Sequence, residues 1–346
     1  MILYKLGQWA FKKLIVKKIL TGEGIISDVI PLFKKSLVLS SPSAWNLFQN
    51  LYDIKPNKIL LNAPLQLPEI HSLAKTIDHD SIIGIGGGRV MDCSKALAAV
   101  SKKKCYLIPS ILSTTAWLNP AASLKDGNRV THAKGKVTSI FLDTELLAQS
   151  PQHLNLGGMA DILCGYNALG DWIAAHLQEG ERLPKNAKET VLSFCERIRK
   201  ELPDNIPIIP SNVPFYINAF KEALGLCWGF LSGRPVEGSE HFIYYALEET
   251  YDQPMNHGAI IALNTLVCLY LRGEDSLINP NKLKKLYKTL KIPFSLKEQG
   301  IPEELYRNTL LNMYTFSSER GLPYSLWNQE NLNENTLSEI LRWIES

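Results

Sequence analysis

The stretch IIGIGGGRVMDCSKALAAV, residues 82–100, sets an apolar run, three consecutive glycines and a helix-patterned segment directly after one another. An apolar run of this kind reads as a strand buried on both faces, and such strands belong to parallel sheets covered by helices. The neighbouring sequence repeats the pattern. Strands are expected at 34–40 (KKSLVLS), 57–63 (NKILLNA), 80–86 (DSIIGIG), 104–110 (KCYLIPS) and 137–143 (VTSIFLD), with helices at 43–54, 67–77 and 91–100 between them. Short apolar runs alternating with helical segments imply an α/β layer structure with helices on both faces of the sheet.

From about residue 151 the pattern changes to amphipathic helical segments, at 157–178, 186–201, 213–231, 238–250, 257–272, 303–317 and 334–345. A chain of 346 residues is long for one core. Two domains are therefore expected, an α/β domain over 1–150 and an all-helical one over 151–346, joined at AQSPQH.

Composition excludes several function classes. The formal net charge is +3 with both signs interspersed, which leaves no electrostatic footprint for nucleic acid. The six cysteines, 93, 105, 164, 195, 227 and 268, form no C-x-x-C pair and sit in apolar segments, so they read as buried reduced thiols. The first twenty residues are apolar but cut repeatedly by lysine, with no small-residue cleavage site. The apolar stretch 259–271 is too short to span a bilayer. A soluble cytoplasmic protein without membrane insertion is the expectation.

Gly86, Gly87 and Gly88 fall at the carboxyl end of a strand and open a helix. Ligands of open parallel sheets bind at that edge. Bare glycines let a backbone approach a pyrophosphate, and the helix N-terminus offers free amides. Asp92, on the expected first turn, either caps that helix or orders the loop. The pattern is not G-x-G-x-x-G, so a plain tight turn stands beside the phosphate reading.

Three further segments place metal-capable side chains at expected helix starts. Asp161 follows two glycines in LGGMADILCGYNALGDW, His241 lies in SGRPVEGSEHFIYYALEE, and His257 lies in PMNHGAIIAL. One carboxylate and two imidazoles would make an open three-ligand site suited to Zn²⁺ or Fe²⁺. Spacing alone does not bring them together.

GGGRVMD, PSILSTTAWLNPAASLKDG, GGMADILCGYNALGDW, SGRPVEGSEH and NHG together resemble the dehydroquinate synthase-like superfamily, which includes the iron-containing alcohol dehydrogenases. Within it the wording DILCGYNALGDW and RPVEGSEH is most similar to the sn-glycerol-1-phosphate dehydrogenase branch. The resemblance covers residues 20 to 270 approximately. It implies a Rossmann-like N-terminal domain that binds NAD or NADP, and a helical domain holding one divalent metal, Zn preferred with Fe or Ni as alternatives. Carried over, the metal ligands and catalytic residues are Asp161, His241 and His257. The cofactor contacts are Gly86, Gly87, Gly88, Arg89, Asp92, Ser113, Thr114, Thr115, Asn119 and Lys125.

The implied activity is hydride transfer between a nicotinamide ring near Thr114, Thr115 and Asn119 and a small ketone, aldehyde or polyol phosphate, such as dihydroxyacetone phosphate. A cleft between the domains would hold both reactants, and a homodimer is compatible with the family.

The departures from the family pattern bear on specificity. Arg89 replaces the usual serine of GGGS and could reach a phosphate, including a 2′-phosphate. Thr115 replaces a family aspartate beside the substrate, and Tyr245 replaces a second histidine. The strand ending LSSPS lacks the acid that often holds the adenosine ribose, which removes an obstacle to NADP. Lys125 and Arg234 each read either as substrate-phosphate ligands or as ordinary structural cations, and DGNR reads as a hairpin turn. His132, His153 and His176 read as surface or packing residues. A sugar-phosphate cyclase, which uses NAD without net redox change, is the alternative activity; AASLKDG does not reproduce its GGKT-like segment. A non-catalytic descendant that keeps the fold as a binding module is the third reading.

Overall fold

The computed structural model describes residues 18–329 and 332–346. The lysine-interrupted segment through residue 17 lies outside them. Backbone contacts group the described residues into two compact units, one of residues 18–155 with 205–221 and the other of 156–204 with 222–346. The segment 205–221, assigned from sequence to the helical part, groups with the α/β unit.

The first unit is built on a six-stranded parallel sheet of β1 (Lys18–Gly22), β2 (Ser36–Ser40), β3 (Lys58–Leu60), β4 (Ser81–Gly86), β5 (Lys104–Pro109) and β8 (Ser139–Asp143). Its order is β1-β8-β5-β4-β2-β3. Five of the strands fall where the apolar runs predict them. β1 is additional: it covers one edge by pairing with β8 from Lys18 opposite Ser139 to Gly22 opposite Asp143. β6 (Ala121–Asp126) and β7 (Arg129–Lys134) form an antiparallel hairpin, with DGNR at its turn as expected.

Alternation along β4 assigns the two faces. Ile83 and Ile85 join Phe33, Phe48 and Tyr52 in one buried cluster, the last two from helix Pro42–Leu51 and its C-cap. Gly84 lies on the opposite face under helix Gly88–Val100, where an added Cβ would stand 2.3 Å from Ser94 Oγ. The strand therefore tolerates glycine at 84 because a helix side chain occupies that space.

The chain runs from β2 outward to β3, then back across to β4 and on to β5. The direction of winding reverses between β2 and β4, and crevices at such points lie beyond the carboxyl ends of the strands. Both Ser40 and the glycine turn are at those ends, and Ser40 Oγ donates to the Ile85 carbonyl at 2.7 Å. Gly86 takes φ 157°, a backbone conformation that L side chains rarely adopt.

The second unit is helical. Its central element is helix His257–Arg272, buried without interruption from Gly258 to Leu269, as a helix apolar on all sides must be. Around it pack Gly165–Glu179, Ser239–Thr250, Pro280–Leu290 and Glu334–Glu345. The segment 157–178 is two helices, Gln152–Leu163 and Gly165–Glu179, and 303–317 is likewise divided, into Glu303–Leu311 and Met313–Arg320. Among the described residues no helix is long and apolar enough to cross a membrane.

All six cysteines are free and buried. Burial, reinforced at Cys93 by Asp92 and Glu69, pushes the Cys93 and Cys105 thiols up to about 12, and the other four are raised as well. Thiolate is the reactive form. Ellman's reagent is therefore expected to develop almost no colour with the native protein at mildly alkaline pH, and six equivalents after denaturation. Rapid reaction of any native cysteine would contradict this core.

Candidate metal centre

The three metal-capable residues converge within the helical unit. Their ligand atoms lie within 4.8 Å of one another. Asp161 Oδ1 is 3.3 Å from His241 Nε2 and 3.0 Å from His257 Nε2. Tetrahedral bonds of about 2.0–2.1 Å put neighbouring ligand atoms roughly 3.3 Å apart, so this spacing suits a divalent cation.

His241 is the third residue of Ser239–Thr250 and His257 the first of His257–Arg272, as the sequence suggests. Asp161 differs. It lies in the last turn of Gln152–Leu163, because that helix begins well before the glycines and runs through them. The glycines serve packing instead: a Cβ on Gly258 would meet the Gly157 carbonyl carbon and oxygen at 2.3 Å. Two backbones in contact bring the end of one helix beside the start of the other, and with them Asp161 beside His257.

The electrostatics favour a cation. Asp161 and His241 are both buried. Burial alone would push the Asp161 carboxyl up, but the His257 charge and hydrogen bonds from both imidazoles hold it well below the usual carboxylate range. Burial alone would lower His241, but hydrogen bonds with Asp161 and Glu240 outweigh it and raise His241 to about 10. Two carboxylates flank this imidazole, and positive charge between them is stabilised. Tyr244 packs edge-on against His257, with ring centroids 4.5 Å apart.

Residues outside the triad have partners of their own. The Tyr245 hydroxyl donates to Glu237 at 2.5 Å and does not join the ligand set. Arg234 is buried and ion-paired to Glu181 at 2.5 Å. His176 and His153 are exposed, and His132 is a partly exposed hairpin residue beside Ser123.

In the α/β unit, Gly88 opens the helix after the turn, and a Cβ there would stand 3.4 Å from Thr114 Oγ1. The glycine turn and Thr114 are thus neighbours. Arg89 is exposed on the first turn. Ser113 is buried, and Thr114 caps the short turn Thr115–Trp117 by accepting from the Ala116 amide at 3.1 Å. Asn119 Oδ1 accepts from the Ala121 amide at 3.0 Å. The Lys125 amide donates to the Leu65 carbonyl at 2.9 Å.

Of the two readings of Asp92, the helix cap does not hold. Asp92 is buried one turn deeper than a cap, with Oδ1 2.8 Å from Lys95 Nζ. Lys95, missed from sequence, is fully buried and donates to the carbonyls of Ala116 (2.8 Å), Asn119 (2.9 Å) and Ala121 (2.5 Å). One ammonium therefore gathers the loop after Thr115. The D-x-x-K spacing, which puts acid and base on one helix face, was the available signal. Glu240, Asn167, Asp171 and Arg272 were also missed, as polar residues in apolar helices.

Three substitutions test these constraints by urea unfolding. Gly258→Ala is expected to cost at least about 1–3 kcal/mol through overpacking, whereas Gly157→Ala, with 3.4 Å of clearance, is expected to be nearly neutral. Equal tolerance of both would refute the close crossing. Lys95→Met is expected to cost roughly 3–5 kcal/mol by orphaning Asp92 and three carbonyls, and an unchanged midpoint would refute the assigned role.

Comparison with known proteins agrees with this architecture. Residues 52–151 match the family model described as iron-containing alcohol dehydrogenase. The chain is 30% identical over 260 residues to the glycerol-1-phosphate dehydrogenase [NAD(P)+] of Sulfurisphaera tokodaii, covering 74% of this chain and 72% of that one. It is 26% identical over 337 residues to the enzyme of the same name from Methanobrevibacter smithii, covering 92% of each. The fold is similar to that of NADH-dependent butanol dehydrogenase A from Thermotoga maritima, with TM-score 0.69, 18% identity and coverage of 95% of this chain and 98% of that one. With its parallel sheet, its glycine turn and a relative this similar over most of both lengths, the chain belongs to the iron-containing alcohol dehydrogenase family of NAD(P)-dependent dehydrogenases.

Proposed function

We propose that the chain is a metal-dependent oxidoreductase that transfers a hydride between NAD or NADP and a small polyol phosphate, with dihydroxyacetone phosphate and glycerol-1-phosphate as the pair. The observation that carries the metal part is the convergence of Asp161 Oδ1, His241 Nε2 and His257 Nε2. The substrate part rests on the relatives named for glycerol-1-phosphate.

A divalent cation held by these three residues supplies Lewis acidity toward the substrate hydroxyl or carbonyl oxygen, and the nicotinamide supplies the hydride. The chain's own contribution is positioning. Three protein ligands leave a coordination place open for substrate. Asp161 contributes the negative charge of the set, and Tyr244 fixes the ring plane of His257 by edge-on packing.

In the α/β unit, Gly86–Gly88 and the amides opening helix Gly88–Val100 receive the pyrophosphate. Ser113, Thr114, Thr115 and Asn119 border the nicotinamide, and Lys95 fixes the backbone that carries them. Arg89, exposed at the helix start, meets the adenosine 2′-phosphate of NADP, and β2 ends in Ser40, followed by Ser41, without a carboxylate to repel it. Lys125 serves the phosphate of the substrate.

The test is a nicotinamide absorbance assay with dihydroxyacetone phosphate, dihydroxyacetone and simple aldehydes. Net oxidation of NADH or NADPH is expected, fastest with the phosphorylated ketone. It should be lost on chelation and restored by Zn²⁺. Asp161→Asn and His257→Ala are expected to lower turnover by more than about 100-fold, beyond the range of outer-sphere changes, while cofactor binding persists. Full activity after exhaustive chelation would remove the metal from the reading. Preference for the unphosphorylated ketone would remove the phosphate.

A further inference from the structure

We propose that a buried donor–acceptor chain, Arg272–Asn167–Glu240, dictates which ring nitrogen of His241 is presented to the metal. The inference rests on the metal reading above and goes beyond it to residues that touch neither substrate nor metal.

The order of donors is forced from one end. A guanidinium donates and cannot accept. Arg272 Nε donates to Asn167 Oδ1 at 2.8 Å, while Arg272 Nη2 pairs with Asp171 Oδ1 at 2.5 Å. The Asn167 carbonyl is therefore fixed toward Arg272, and its amide nitrogen points the other way. Nδ2 donates to Ser239 Oγ at 2.9 Å and to Glu240 Oε2.

Glu240 Oε2 can then only accept. The other oxygen, Oε1, accepts from the Gly238 amide at 2.8 Å and lies 2.8 Å from His241 Nδ1. An oxygen that already accepts from the Gly238 amide accepts from His241 as well, which places the N–H on Nδ1. Nε2 is then the nitrogen offered to a cation, and it stands 3.3 Å from Asp161 Oδ1.

Distance and charge exclude a simpler account. Asn167, Asp171 and Glu240 are fully buried, so bulk solvent does not reach the chain to supply a missing donor. Asp171 neutralises Arg272 locally, so Arg272 acts on His241 through amide orientation more than through its field. Helix Gly165–Glu179 supplies Asn167 and Asp171 one turn apart, and helix His257–Arg272 supplies Arg272 at its last position and His257 at its first. The helix that carries one ligand thus orients another from its far end.

The test exploits polarity reversal. Glu240→Gln puts an amide donor opposite the Asn167 donor, and Asn167→Asp puts two carboxylates face to face. Combined, Asn167→Asp with Glu240→Gln restores one donor and one acceptor, and the glutamine carbonyl still accepts from His241 Nδ1. Zn²⁺ affinity is measured on the full-length protein by competition with a chromogenic chelator, with folding followed by urea unfolding.

Each single variant is expected to bind Zn²⁺ about 10–100-fold more weakly, and the double variant to recover most of that loss. In wild type, ¹⁵N spectra of the zinc-loaded protein should show the metal on Nε2 and a proton on Nδ1 of His241. Wild-type affinity in both single variants, no recovery in the double, or zinc on Nδ1 would overturn the inference. The wild-type spectrum decides even if a variant fails to fold. Absence of any zinc binding by wild type would instead refute the metal reading, and this inference with it.

Discussion

The buried carboxylate of Asp161, set between the imidazoles of His241 and His257, is the interaction on which the site depends. A carboxylate in a helical core is costly unless positive charge faces it. Here two rings aim nitrogen atoms at the same oxygen, at 3.3 and 3.0 Å. A second carboxylate, Glu240, lies behind one of those rings. The two carboxylates draw positive charge onto His241, whose raised affinity for a proton is the response of the ring to their field.

The surrounding structure serves this arrangement. Contact between the Gly157 and Gly258 backbones joins the end of one helix to the start of another. The Asp171–Arg272 pair and Asn167 fill the core beneath Glu240 with satisfied polar groups, a frame that an apolar core could not orient as narrowly. In the α/β unit Lys95 plays a comparable part, since one internal ammonium collects three loop carbonyls beside a bare glycine turn. In both units a buried charge organises backbone or side chains that a ligand would meet.

Much of this was legible in sequence. The four interior strands announced themselves as apolar runs, because a strand covered on both faces has no reason to alternate, and the short edge strand β3 was legible in NKILLNA. Asp161, His241 and His257 were readable by residue type together with the motif resemblance, and the structure brings them together. The edge strand β1 was not readable. It borrows its order from pairing with β8, and its residues, KILTG, are too mixed to signal burial. The setting of Asp161 was misread because glycines suggest a helix start, whereas here they admit a neighbouring backbone. Arg234 and Arg272 share one lesson: the partner that gives a buried cation its meaning lies on another element or in a loop, and spacing does not disclose it.

The most direct measurement is X-ray absorption at the zinc edge of the metal-loaded protein. The account predicts only nitrogen and oxygen neighbours, at about 2.0–2.2 Å, with the multiple-scattering signature of two imidazoles. Loss of one imidazole in His241→Ala and of the other in His257→Ala would identify them. A sulfur neighbour at about 2.3 Å would place the ion instead with Cys164, Glu240 and His241, the other group of ligand atoms within mutual reach, and would contradict the account.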